Sequence, residues 1–482
     1  MKKTALILFL LVVAAWSAGL PMPAVAGGDY TQVAGIIDTR TTFSDGALSV
    51  DALARLARER GFDVLFYNDH DILAMAYGLP PFQHVLRIKK QKNALRLSGP
   101  NNYLDAIAAA QQKSPGLILV PGSESVPYYY WSGSYLNGDL TAHDHEKRLL
   151  AIGLDHPSDY EDMPVLHNRP STRYLKPRMP MLLFFSGALL LGVYITTWGR
   201  WYRWAGIGIA ALALLLMANT APFQSSPYDQ YMGDIGIAPY QHYIDYVNTR
   251  GGMTFWNYPE TRSGVRKLGP INVDTPPYPD ALLEAQNYTG FAAVYGDTVT
   301  LTEPGRQWDQ TLNQFCRGSR RQPVWGIATA DFHEDGSGGE RLGNFPTIFW
   351  VKEKNRSGVM EAMRAGRMVA VRGPYPQRLV LDDFSVSGDD GEIQGTLGET
   401  IEVTGVPQIR VAISLKEAGA GTVSVRIIRG GRLAAAFDAS LPFEKTIRDD
   451  HCPRGEKTFY RLMAQGRGIG KIVANPVFVT AK

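Results

Sequence analysis

Between residues 34 and 372, short apolar runs alternate with stretches whose apolar positions recur every three or four residues. The runs at 34–37, 64–67, 117–120, 149–154, 252–256 and 324–328 read as strands, and 50–60 reads as an amphipathic helix. Such alternation predicts an α/β fold, layered or closed into a barrel. After Gly373-Pro374 the period falls to two, as at 409–415 and 422–428, with Gly turns and no long helical pattern. Residues 374–482 are therefore expected to form an all-β sandwich of their own.

Two further apolar stretches break the first pattern. Residues 179–198 are twenty positions without a charge, and 205–221 are another seventeen. Only Gly199-Arg200-Trp201-Tyr202-Arg203-Trp204 lies between them, and its cations and aromatics suit a membrane interface. A two-helix transmembrane hairpin at 179–221 is expected, inserted into an α/β region that spans 27–373. At the start of the chain, Lys2 and Lys3, an apolar run at 5–16 and Ala24-Val25-Ala26 predict a secretory signal peptide over 1–26. Together these place the remainder on the exported side of a bacterial-type membrane, tethered by the hairpin.

Charge and cysteine content narrow the chemistry. With 49 Lys and Arg against 46 Asp and Glu over 482 residues, the chain lacks the basic excess of a nucleic-acid binder. Its two cysteines, Cys316 and Cys452, cannot build a four-thiolate zinc site, so any metal must be held by imidazole and carboxylate. They fall in different regions and are expected to stay unpaired.

Acids and imidazoles gather where the expected strands end, the usual place for function in α/β folds. Asp38 follows the first strand, and Ser44-Asp45-Gly46 comes next in the same loop, before the helix. Asn68-Asp69-His70-Asp71 ends the second, Glu124 the third, and Asp331 with His333 the run at 324–328. Mixed imidazole and carboxylate ligands suit zinc, manganese or iron.

In this order, Ser44-Asp45-Gly46, Asn68-Asp69-His70-Asp71, Pro121-Gly122-Ser123-Glu124 and Ala330-Asp331-Phe332-His333 resemble the motifs of the PHP (polymerase and histidinol phosphatase) metallohydrolases. The C-terminal region, ending in Asn475-Pro476-Val477-Phe478-Val479, is similar to the CehA/McbA-type members. The resemblance implies a distorted (βα)7 barrel with up to three metals at its mouth. It also implies Asp45, His70 and His333 as one metal set, with Glu124 and Asp331 as bridging carboxylates.

The departures reduce that site. Where the family opens with a His-x-His pair this chain has Asp38 and Arg40, Arg148 stands in a third histidine position, and Asn257 in a fourth. Fewer than three ions are expected, with Asp38 as a further ligand. Arg40 and Arg148 either replace the charge of lost cations or clamp an anionic substrate. His143 and His145 are spaced to replace a lost ligand or to sit solvated in a loop; His156, His167, His242 and His451 have no such context. The Tyr128-Tyr129-Tyr130-Trp131 run either lines a substrate mouth or packs a strand.

Two functions follow. The first is a metal-dependent, phosphoesterase-like hydrolase with Asp331 and Arg40 as catalytic residues. The second is a catalytically degenerate PHP fold that binds an anionic ligand or an envelope partner. The sequence leaves the oligomeric state open.

Overall fold

The computed structural model describes residues 30–261, 264–336, 341–389, 394–417 and 419–482. The expected signal peptide lies outside them. Seven strands of the α/β region are β1 (Thr31–Thr39), β2 (Val64–Tyr67), β3 (Ile118–Ser125), β4 (Arg148–Ile152), β5 (Met253–Asn257), β6 (Gly290–Val294) and β7 (Trp325–Ala328). They lie side by side in chain order within one sheet. Neighbours are parallel except at β4, which runs antiparallel to both β3 and β5. Val-Leu-Phe-Tyr of β2 and Gly-Phe-Ala-Ala-Val of β6 are buried along their whole length, which accounts for their continuous rather than alternating apolar pattern.

The sheet curls back on itself because β1 changes partner halfway. Its first half, Thr31 to Ile36, pairs antiparallel with β8 (Pro346–Val351). Beyond that, the Ala330 amide donates to the Ile37 carbonyl at 3.0 Å, Phe332 to Asp38 at 3.0 Å, and Arg40 to Phe332 at 2.9 Å. The segment after β7 thus closes onto the end of β1, and the C-terminal ends of β1, β2, β3 and β7 meet at one mouth.

The helix Val50–Glu59 begins where the Ser49 hydroxyl accepts from the Ala52 amide. Val50, Leu53, Ala54 and Ala57 form its buried stripe at helical spacing. Strands β6, β8 and β9 (Met368–Arg372) were not foreseen from the sequence, and neither were the hairpin Ala74–Gly78 with Arg87–Gln91 and the small sheet of Tyr130–Ser132, Thr141–His143, Arg266–Leu268 and Ile271–Asp274.

The C-terminal region is all-β, as its alternation predicts. The main sheet runs on past residue 373, because β9 pairs antiparallel with Gly470–Ala474. A second sheet holds Gln394–Thr396, Leu379–Ser387, Gln408–Leu415 and Phe443–Arg448. Arg461 of the C-terminal region makes two bonds, at 2.6 and 2.8 Å, to Asp309 on the helix Gln307–Cys316, and both side chains are fully buried. Such a pair fixes how the two parts meet, since losing one partner would strand a buried charge.

The two apolar stretches form helices Met179–Ile195 and Arg203–Asn219. They touch through glycines: a Cβ on Gly192 would lie 2.6 Å from the Ala210 nitrogen, and one on Gly206 would lie 2.6 Å from the Gly192 carbonyl. Small residues at the crossing let the backbones approach. Among the described residues, only Lys176–Ile195 is long and apolar enough to cross a membrane, and Arg203–Asn219 is shorter than such a span, so the expected pair of spans reduces to one that passes on length and composition.

Candidate metal centre

The loop after β1 is shaped before it can hold anything. Asp69, fully buried, accepts from the Thr41 amide at 2.7 Å, the Thr41 hydroxyl at 2.9 Å and the Ser44 hydroxyl at 2.6 Å. Burial raises its pKa, and the Ser44 and Thr41 bonds oppose that rise. Gly46 allows the loop to fold onto the strand, since a Cβ there would sit 2.3 Å from the Arg40 carbonyl. The Ala47 amide then donates to the His333 carbonyl at 3.0 Å, tying this loop to the one after β7. Gly122 has a matching role on β3, where a Cβ would meet the Ala151 carbonyl at 2.5 Å.

These constraints bring Asp45, His70 and His333 together, with one donor atom from each within 4.8 Å of the others. His70 Nε2 lies 3.6 Å from Asp45 Oδ2, and His333 Nε2 lies 3.5 Å from Asp45 Oδ1. The other nitrogen of each ring is already committed. His70 Nδ1 faces Glu124 Oε2 at 3.2 Å, and His333 Nδ1 lies 2.8 Å from the Asp331 carbonyl. Each ring thus lies between two acceptor oxygens, one at Nδ1 and the Asp45 carboxylate at Nε2.

Burial, helped by the nearby Arg40 charge, lowers the His70 pKa and keeps that ring neutral. Its Nε2 faces the Asp45 carboxylate, where a divalent cation between them would take the place of the shared proton. Burial works against charge on Asp45, but its bonds to His333 and His70 hold its pKa well below the usual carboxylate range. The donor set of two imidazoles and one carboxylate fits zinc, manganese or iron, and the Nδ1 partners are the outer acceptors that orient metal-binding histidines.

The remaining expected ligands gather a few ångströms away around a guanidinium. Arg40 is fully buried, bonded to Asp38 and, at 2.6 Å, to the Asn68 carbonyl. It lies 2.8 Å from Glu124 Oε2 and 3.6 Å from Asp331 Oδ1. Burial disfavours its charge, yet Asp38, Glu124 and Asp331 together hold its pKa well above the usual arginine value. Glu124 Oε2 also accepts from Arg148 at 2.6 Å, and Oε1 accepts from Asn257 at 2.6 Å. Burial opposes ionisation of Glu124, but Arg148 and Arg40 bring its pKa below the usual range. Asn257 donates to Asp38 Oδ2 at 2.9 Å, and the Tyr258 hydroxyl donates to the same oxygen. Asp38, Glu124 and Asp331 thus face Arg40 in this structure, with Arg148 as a second cation on Glu124.

Asp331, held at φ +47°, has a half-exposed side chain beside a cavity of about 650 Å³. Arg148, Tyr258, Tyr295, Asp331 and His333 line it. Arg148 therefore reaches the space a ligand would enter, and Arg40 lies beneath it. Of the other expected residues, His143 bonds Ser132 Oγ at 2.7 Å and stacks on Tyr130, while His145 contacts Thr275 at 3.3 Å. Among the described residues, only Asp45, His70 and His333 form a group able to hold a metal. Tyr128 and Tyr129 are buried, and Cys316 and Cys452 are free. Tyr258 escaped sequence reasoning as a site residue; its place next to Asn257 at the end of β5 was the available signal.

No protein-family model matches the chain, and no curated protein does. Among solved structures it is similar to a Bacteroides vulgatus two-domain protein containing a predicted PHP-like metal-dependent phosphoesterase, at 12% identity over 90% of this chain and 91% of that one, with a TM-score of 0.37. A putative metal-dependent phosphoesterase from Bifidobacterium adolescentis is similar at 16% identity over 68% of this chain and 95% of that one, with a TM-score of 0.30. An amidohydrolase from Chromobacterium violaceum, with bound sulfate and no metal, is similar at 14% identity over 63% and 88%, with a TM-score of 0.28.

Proposed function

We propose that the chain is an exported, membrane-tethered PHP-like hydrolase of phosphate esters that works with one divalent cation at Asp45, His70 and His333. The observation that carries this reading is the pair of committed Nδ1 atoms, which leaves both Nε2 atoms turned toward the Asp45 carboxylate. A divalent cation there would act as a Lewis acid on a phosphoryl oxygen. Arg148, at the cavity wall, binds the substrate's anionic oxygens in a charge-assisted contact. Asp331, half exposed beside His333, takes a proton from the water that attacks phosphorus, and can return it to the alcohol oxygen as the ester P–O bond breaks. Arg40 works from beneath, holding Glu124 and Asp331 in place, and the Glu124 carboxylate orients the His70 ring.

The tether in this reading is the helical hairpin, whose outward side chains such as Phe184 and Leu190 are 72% and 70% exposed. Apolar surface of that extent suits lipid. The expected signal at 1–26 supplies export.

The second reading, an anion-binding PHP fold without catalysis, draws on Arg40 and Arg148. These two arginines stand where the family has histidines and already neutralise Glu124. Elemental analysis of the full-length protein in detergent, after metal loading and gel filtration, separates the two. About one zinc, manganese or iron per chain is expected, with Asp45→Ala and His70→Ala reduced to background and hydrolysis of p-nitrophenyl phosphate lost with it. Metal-free protein under replete conditions would overturn the hydrolase and leave the anion binder.

A further inference from the structure

The hairpin formed by Ala74–Gly78 and Arg87–Gln91 has no part in the metal centre, yet its sequence and surface are unusual. From residue 72 to 104 the chain carries five cations, Arg87, Lys89, Lys90, Lys92 and Arg96, and no Asp or Glu. The same segment exposes apolar side chains: Ile88 is 76% exposed, Leu86 57% and Leu79 53%. Within one strand, Arg87-Ile88-Lys89-Lys90 sets a bare isoleucine among three cations. For a surface meant only for water the apolar groups are unfavourable, and for a protein core the cations are.

The position of the hairpin says which surface covers it. Its connecting turn is bolted to the end of the second apolar helix: the His84 amide donates to Asn219 Oδ1 at 2.9 Å, and Asn219 Nδ2 donates to the Pro81 carbonyl at 2.9 Å. Asn219 ends the helix Arg203–Asn219, and at the same end Arg178 closes the base of the helical pair by donating to the Thr220 carbonyl at 3.1 Å. The cationic hairpin is thus fixed at the base of the apolar helices, where a bilayer holding those helices would present its headgroups. It is also held firmly from behind. The Ala76 amide donates to the Tyr129 hydroxyl at 2.9 Å, Trp131 Nε1 donates to the Ala76 carbonyl at 2.9 Å, and the Gly78 amide donates to the Tyr231 hydroxyl at 2.7 Å.

We propose that the 74–91 hairpin is a second membrane contact, in which Leu79, Leu86 and Ile88 enter the interfacial layer while Arg87, Lys89, Lys90 and Lys92 engage anionic lipid headgroups. The proposal rests on the reading of the helical pair as a membrane tether. Apolar residues flanked by cations are the chemistry by which interfacial segments bind anionic bilayers. Two points of attachment, at the helices and at the hairpin, would hold the α/β region at a set orientation to the lipid surface.

The test uses the full chain with Leu86→Cys carrying an environment-sensitive dye, in a Cys316→Ser/Cys452→Ser background. It is reconstituted into phosphatidylcholine vesicles with and without phosphatidylglycerol. A blue-shifted emission quenched by nitroxide lipids is expected in the anionic vesicles. The shift should be lost in neutral vesicles and in Arg87→Glu/Lys89→Glu/Lys90→Glu. An unshifted dye in anionic vesicles, an equal shift in both lipids, or a shift that persists in detergent and grows with protein concentration would overturn the proposal, the last in favour of a second copy of the chain. Alkaline carbonate extraction of the same vesicles scores the tether separately. A chain that stays in the bilayer with a water-exposed dye defeats only the hairpin contact, whereas a chain that washes off defeats the tether.

Discussion

Two clusters share the mouth of this sheet and solve the same electrostatic problem differently. Around Arg40, the carboxylates of Asp38, Glu124 and Asp331 meet a guanidinium, with Arg148, Asn257 and Tyr258 supplying further donors. Around Asp45, the neighbours are two imidazole nitrogens, His70 Nε2 and His333 Nε2. In the first cluster two guanidiniums answer three carboxylates. The second has a donor set that could hold a cation. A guanidinium brings its charge at every pH the protein meets and needs no uptake of an ion, but it offers no open position to a substrate. A cation held by few ligands does. A guanidinium in one half therefore keeps positive charge among the carboxylates without offering a chemical centre.

Removing the guanidinium is the harshest way to break this contrast. Arg40→Met leaves the buried Asp38 and Glu124 carboxylates without their shared guanidinium, beside a half-exposed Asp331, and loss of one partner from a buried ionic network costs about 3–5 kcal/mol. Thermal unfolding of the detergent-solubilised protein, followed by tryptophan fluorescence in the presence of a chelator, should show that loss. Adding Mn²⁺ should then raise the variant's midpoint more than the wild type's, because the emptied carboxylate cluster becomes a cation site. Equal responses would mean that the two halves are not electrostatic alternatives.

A milder change tests the bond between the halves. Glu124 Oε2 serves both clusters, holding Arg40 and Arg148 on one side and facing His70 Nδ1 on the other. Glu124→Gln keeps the shape and removes the charge. Outer acceptors of this kind are worth roughly 10–100-fold in metal affinity, so competition against a chromogenic chelator should show a drop of that order. Unchanged affinity would show that His70 is oriented by packing alone.

Much of this contrast is legible in the order of residues along the chain, and some is not. The helix Val50–Glu59 follows from its single buried stripe at helical spacing, and β2 from a continuous apolar run bounded by polar residues. Strands β6 and β8 were missed although they are as apolar as β2; short apolar runs carry no period of their own. At the site, the motif residues name Asp45, His70 and His333 correctly as neighbours. Three-dimensional pairing decides the rest. Whether Arg40 meets substrate or lies beneath it depends on the way the 330–333 segment closes over the end of β1, a contact between residues almost three hundred positions apart. The role of Tyr258 is of the same kind, since its partner Asp38 is 220 residues away.

That tyrosine gives the smallest and most selective probe. Its hydroxyl donates to Asp38 Oδ2, an oxygen that also accepts from Asn257, while Asp38 Oδ1 remains paired with Arg40. Burial first, and then the surrounding Asp331 and Asp38 charges, push the Tyr258 pKa well above its usual value, so the phenol stays a donor throughout the working range. Tyr258→Phe removes one donor from an acceptor that keeps two others, and a cost near 1 kcal/mol in thermal unfolding is expected. Metal affinity should not move, because no atom of Tyr258 bonds to Asp45, His70 or His333. A variant that lost metal along with stability would mean that the Arg40 cluster and the Asp45 cluster respond as one unit, and the division between a guanidinium-paired half and an open half would have to be abandoned.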